Sequence, residues 1–105
     1  MAKKTIYQQI RDTVDAHLPG TRILLYGSRA RGDHRPKSDY DLMIITPAHF
    51  SFKEKINWES KLHRLLVHAL NASVDVLMNS EEEISIKREL PGHIVRSAVR
   101  EGIAI

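Results

Sequence analysis

The stretch LLYGSRARGDHRPKSDYDLMII, residues 24–45, joins an apolar run to a basic loop and then to a second apolar run that contains Asp39 and Asp41. Leu24 to Tyr26 completes a nearly continuous apolar segment that begins at Thr21, the pattern of a short strand covered on both faces. Gly27 closes it. Residues 28–38 are polar and broken by Gly32 and Pro36, so Ser28-Arg29-Ala30-Arg31 has room for one turn of helix at most. Asp39 to Thr46 reads as the second strand. Side chains alternate along a strand, so Asp39 and Asp41 share one face with Cα atoms roughly 6.5–7 Å apart, and Tyr40 and Leu42 take the other.

Aspartate is depleted in strands, and two like charges at this spacing repel unless something positive compensates them. A hard divalent cation with oxygen ligands, most plausibly Mg²⁺, fits that need, and bridging carboxylates hold two such ions roughly 3.5–4 Å apart. Asp75 repeats the anomaly in SVDVLM, with Val74 and Val76 on one face and Asp75 on the other. If that third strand lies beside the second, Asp75 completes the cluster and can accept a proton from a hydroxyl. A strand-ending Gly27 followed by Ser28 lets an anion approach free backbone donors. Arg29, Arg31 and Ser38, the last just ahead of the D-x-D, are the further candidate nucleotide contacts, and Arg35 or Lys37 can add charge. Singly, these pieces read as a turn, a solvated edge and an exposed loop; their order in one segment points to a site for a triphosphate and metal ions.

The rest of the chain supplies a frame. Ile6, Ile10, Val14 and Leu18 recur every fourth residue and predict a first helix over about residues 3–18, ended by Pro19-Gly20. After Pro47 a long helical pattern sets Trp58, Leu62, Leu65, Leu66 and Ala69 toward the core, ending at Asn71-Ala72. Ser73 to Met78 is the third strand. Ser80 and Glu83 have capping-box spacing, with acids in the first turn and Lys87-Arg88 in the last. Beyond Pro91-Gly92, Ile94, Val95, Ala98 and Val99 form one face of a short helix that stops at Gly102, leaving Ile103-Ala104-Ile105 as a possible edge strand. The expected class is α/β (α+β), a small mixed sheet with helices packed on it, in the order α-β-β-α-β-α-α with a possible terminal strand.

The 105 residues predict one domain spanning 1–105. With 42% hydrophobic and 28% charged residues the chain is in the globular range, and no apolar stretch is long enough for a membrane span. MAKKTIYQQIRD lacks the apolar core of a secretory signal, and there is no cysteine, so a cytoplasmic protein without disulfides or thiolate metal sites is expected. The formal charge is +3, and residues 28–38 alone carry that excess. A local anion therefore explains it better than a dedicated nucleic-acid surface. The six histidines form no pair at helical metal-ligand spacing, and only His34 lies near the motif.

These residues, LLYGSRARG, SDYDLMII and VDVLM, closely resemble the nucleotidyltransferase superfamily that includes DNA polymerase beta, and especially its minimal nucleotidyltransferase (MNT) branch. The resemblance covers residues 21–78 and implies the nucleotidyltransferase fold. It assigns nucleotide binding to Gly27 and Ser28, and metal binding with catalysis to Asp39, Asp41 and Asp75. It implies transfer of AMP from ATP to a hydroxyl with release of pyrophosphate. Minimal members commonly act as antitoxins beside HEPN-domain ribonuclease toxins and adenylylate a toxin tyrosine, so a HEPN toxin is the implied partner. Larger relatives carry a C-terminal helical domain that binds the acceptor, whereas 27 residues follow Met78 here, so an open acceptor site finished by a partner or second subunit is expected. A nucleotide-dependent antitoxin that only binds, and a transferase acting on a small molecule or an RNA end, are the alternatives.

Overall fold

A computed structural model describes residues 4–105. Helix α1 (Ile6–His17) is followed by strand β1 (Arg22–Tyr26), the one-turn helix α2 (Ser28–Arg31) and strand β2 (Tyr40–Thr46). Helix α3 (Phe52–Leu70), strand β3 (Val74–Ser80), helices α4 (Glu81–Lys87) and α5 (Ile94–Glu101), and strand β4 (Ile103–Ala104) complete the order. The expected sequence of elements is present, including the terminal strand. Residue 3, where the first helix was expected to begin, and the preceding two residues lie outside the described residues.

The sheet runs β3-β2-β1-β4 and is mixed: β1 is antiparallel to β2 and to β4, while β2 and β3 are parallel. A parallel pair needs a crossover, and α3 provides it. One face of the sheet sets Ile23 and Leu25, Tyr40, Leu42 and Ile44, and Val74 and Met78 against Ile10 and Val14 of α1 and Leu62 and Leu66 of α3. The opposite face packs Leu24, Tyr26, Met43 and Ile45 against Ile84, Val95 and Ala98 of α4 and α5. Strand β1 is therefore covered on both sides, which is why its residues show no polar alternation.

Three helix starts close with the same reciprocal box. Thr5 with Gln8, Ser51 with Glu54, and Ser80 with Glu83 each exchange side-chain and backbone hydrogen bonds. Each cap contributes about 0.5–2 kcal/mol, and Ser80 does so while still belonging to β3, so strand passes directly into helix.

Some boundaries differ from the sequence reading. Thr21, Asp39 and Ser73 each stand one residue ahead of their strand, and β3 continues through Asn79 and Ser80 beside Ile45 and Thr46. Ala69 is exposed, because the inner line of α3 runs through Trp58, Leu62, Leu66 and Leu70. At 3.6 residues per turn a four-residue repeat drifts about 40° per step, so the buried line winds around α3 from Trp58 to Leu70, and by the last turn Ala69, still nearly in line with Trp58, has been left outside it.

Candidate active site

The parallel register sets Asp41 directly opposite Asp75, and the antiparallel register sets Tyr26 opposite Asp41 on its other side. Asp41 shares its sheet face with Met43 and Ile45, and Asp75 shares it with Leu77, so both acids stand on the face covered by α4 and α5. Asp39, exposed just before β2, precedes Asp41 by the same two-residue step. Tyr26, Asp41, Asp75, Val76, Leu77 and Ile94 line one cavity of about 300 Å³. A second cavity of similar size lies near Thr5, Ile6, Tyr7, Arg29, His34 and Tyr40, and none of the three aspartates lines it.

Burial raises the Asp41 carboxyl above the usual range, and the charges of Asp75 and Asp39 and a hydrogen bond with Asp75 raise it further; Arg31 partly offsets this. Burial, then the charges of Asp41 and Asp75, push the Tyr26 phenol up to about 12, so it stays a neutral donor. Among the described residues, no three Asp, Glu or His side chains converge into a preformed metal cage. The donor set still suits a hard divalent cation. Its members are carboxylate oxygens, Asp41 and Asp75 stand on one face with the charge of Asp39 acting on Asp41, and their mutual repulsion is relieved by positive charge.

Gly27 ends β1 with φ +73°, and a Cβ built there would collide with Asp41 Oδ2. The glycine thus makes room for a site carboxylate as well as for the turn. Ala30 and Arg31 N–H both donate to Gly27 C=O at 3.1 Å, closing α2 into its single turn. The N–H groups of Ser28 and Arg29, first in that turn, have no intrahelical acceptor.

The other expected contacts have work within the loop. Arg29 donates to Ser38 C=O at 3.0 Å and Pro36 C=O at 3.2 Å, and its guanidinium carbon stacks 3.9 Å from the Tyr40 ring centre. Ser38 Oγ accepts from Arg35 N–H at 2.8 Å. Together they tie the 28–38 loop to the start of β2, where Asp39 stands. Arg31 pairs with Asp33 and with Glu101. Arg35 and Lys37 are exposed, without an ion pair among the described residues. His63 Nδ1 lies 2.8 Å from Val74 C=O, a structural contact at the sheet edge.

Sequence reasoning missed Tyr26 and Glu101. The register that brings Tyr26 beside Asp41 is not visible in a strand read alone, and Glu101 lies 74 residues from the Gly27 N–H it accepts from.

A family model described as nucleotidyltransferase domain matches residues 7–105. No curated protein matches the sequence. Among solved structures, a mutant of the toxin-antitoxin MntA-HpeT superposes with a TM-score of 0.64 at 18% identity, covering 97% of this chain and 72% of the other. A toxin-antitoxin crystal structure with AMP-PNP gives 0.66 at 21% identity, covering 91% and 68%. A minimal nucleotidyltransferase gives 0.62 at 19% identity and covers both chains completely. These likenesses establish a shared fold.

Proposed function

Because the chain belongs to the nucleotidyltransferase domain family, we propose that it is one minimal nucleotidyltransferase domain that moves AMP from ATP to a hydroxyl of a partner protein. The observation that carries this reading is the register of Asp41 against Asp75, with Gly27 packed on Asp41 at the turn where a triphosphate would enter.

Asp39, Asp41 and Asp75 would hold Mg²⁺, two ions in the full site. When bound, the metal supplies charge for the phosphates and lowers the pKa of the acceptor hydroxyl. Gly27 keeps the turn open, and Ser28 offers its hydroxyl and free amide to the phosphates. Arg29 and Ser38 fix the loop, and Arg31 is a cation whose charge acts on Asp41. The acceptor oxygen forms a bond to the α-phosphorus while the bond from that phosphorus to pyrophosphate breaks. Asp75, exposed at the cavity, takes the hydroxyl proton.

The toxin-antitoxin context of two fold relatives supports a toxin as acceptor. We assign the partner to the HEPN-domain class and the acceptor to a tyrosine. Among the described residues no helix is long and apolar enough to cross a membrane. A cytoplasmic setting, rich in ATP and Mg²⁺, suits the reaction.

The test is transfer of labelled AMP from ATP to the protein encoded beside this one, purified with it, with Asp39→Asn and Asp41→Asn as controls. Label on a partner tyrosine, lost in both variants, is the expected result. No transfer from any nucleotide, or transfer indifferent to the substitutions, overturns the reading.

A further inference from the structure

A fourth carboxylate reaches the Gly27 turn from the far end of the chain. Glu101 closes α5, and its Oε1 accepts from Gly27 N–H at 3.1 Å and from Arg31 Nη1 at 3.2 Å. The Gly27 N–H follows Tyr26, whose backbone pairs with Asp41, so it points away from β2 and has Glu101 as its partner. The Arg31–Glu101 pair is partly exposed, with side chains 48% and 26% accessible. A pair of that kind contributes little to stability. Its consequence is geometric: one oxygen fixes both the backbone that begins the turn and the guanidinium that ends it.

The carboxylate is itself held firmly. Gly102 N–H donates to Ala98 C=O at 2.8 Å, and a Cβ at Gly102 would strike that carbonyl and crowd Leu24. Residue 102 therefore lets the chain leave α5 close against β1. Strand β4 then pairs Ile103 with Leu25 and Ala104 with Leu24. Ile105 N–H donates to Ile23 C=O at 3.0 Å, and Arg11 Nη2 donates to Ile105 C=O at 2.7 Å. A carboxylate anchored on both sides in sequence is suited to hold a neighbouring loop rather than to swing away from it.

We propose that Glu101 is a positioning residue of the nucleotide site, fixing the Gly27 backbone and aiming Arg31 so that the donors of the turn stay in register with Asp41. Arg31 is already close enough to Asp41 to offset part of the carboxylate repulsion there. Without Glu101, Arg31 keeps only Asp33, two residues away on the same exposed loop, and turns toward it. The inference rests on the nucleotidyl-transfer reading.

The test measures the dissociation constant of ATP with Mg²⁺, and KM and kcat for AMP transfer, in the full chain and in Glu101→Ala and Glu101→Gln. Glu101→Ala should weaken ATP binding about tenfold or more, the scale seen when groups that orient ligands are removed. Glu101→Gln keeps an oxygen for Gly27 N–H and loses only the charge toward Arg31, so it should recover part of that loss. If Glu101→Ala does not fold, Glu101→Gln carries the test with a threefold or greater weakening at unchanged melting temperature. A lower melting temperature with unchanged ATP binding reduces Glu101 to a structural brace and overturns the inference. Tighter ATP binding in Glu101→Gln overturns it too, because the carboxylate would then be occupying a place meant for phosphate. A wild-type chain that binds no nucleotide overturns the transfer reading itself, and this inference with it.

Discussion

The α-carbon of Gly27 lies against the Asp41 carboxylate, so that the position where any other residue would carry a Cβ is taken up by Asp41 Oδ2. This single approach joins the two halves of the motif, the turn after β1 and the acid on β2. It also explains why a glycine is required there twice over, by its φ of +73° and by the absence of space.

Gly27→Ala should therefore displace the carboxylate as well as strain the turn. The expected destabilisation is about 1–3 kcal/mol, read from the urea unfolding midpoint. AMP transfer should fall by about a hundredfold or more, because a shift of about 1 Å in a positioned group carries a cost of that order.

Asp41→Asn should separate activity from stability. Burial first, then Asp75 and Asp39, hold the Asp41 carboxyl above its unfolded value. The native state thus retains a proton that the unfolded chain has released, so stability falls as pH rises from about 4 through the raised value, and the deficit persists at neutral pH. The amide removes it. At pH 7 the variant should melt higher by about 1–4 °C, discounted for solvent screening, with the gain vanishing at lower pH. Transfer should be lost, and the stabilisation by Mg²⁺ with ATP expected of the wild type should disappear.

Glu83 predicts an acid limb of the opposite sign. Burial works to raise its carboxyl, but the Lys55 ammonium at 2.7 Å, the Ser80 N–H at 2.9 Å and Lys87 at 3.3 Å bring it down to about 2. A depressed carboxyl stabilises the fold above its unfolded value of about 4.3, and that contribution is lost as pH falls toward 2. Glu83→Gln should lower the melting temperature at pH 7 and flatten its decline between about pH 5 and 2.

The outer edge of β3 offers a fourth test. The parallel register turns the backbone of Val74, Val76, Met78 and Ser80 outward, and Glu59 accepts from Met78 N–H at 2.8 Å while His63 meets Val74 C=O. Side chains of α3 thus close an edge that would otherwise pair with another chain. Glu59→Ala should cost about 1–2 kcal/mol in thermal or urea unfolding and increase association seen by light scattering.

Most elements were legible because their signals are local. The four-residue apolar repeat of α1, the capping box at Ser80 and the Pro-Gly breaks act within a few residues, and strands follow from short apolar runs between turns. The boundaries at Asp39 and Ser73 were not, because whether one more residue joins a ladder depends on the neighbouring strand. The inner face of α3 was misread at Ala69 for a related reason: which flank of a helix is buried depends on the surface it meets.

The sequence by itself determined the chemical inventory: a glycine-serine turn, two acids two residues apart and a third acid on a later strand, in a frame of short apolar segments. Only the tertiary structure decided their company. Parallel pairing of β2 with β3 brings Asp75 beside Asp41, antiparallel pairing of β1 sets Tyr26 on the other side, and β4 ties the last turn of α5 close enough for Glu101 to reach Gly27. Alternation along a strand fixes the face on which a side chain stands, but register between strands depends on packing and hydrogen bonds across the whole sheet. The acids could be read one strand at a time, and the site they form could not.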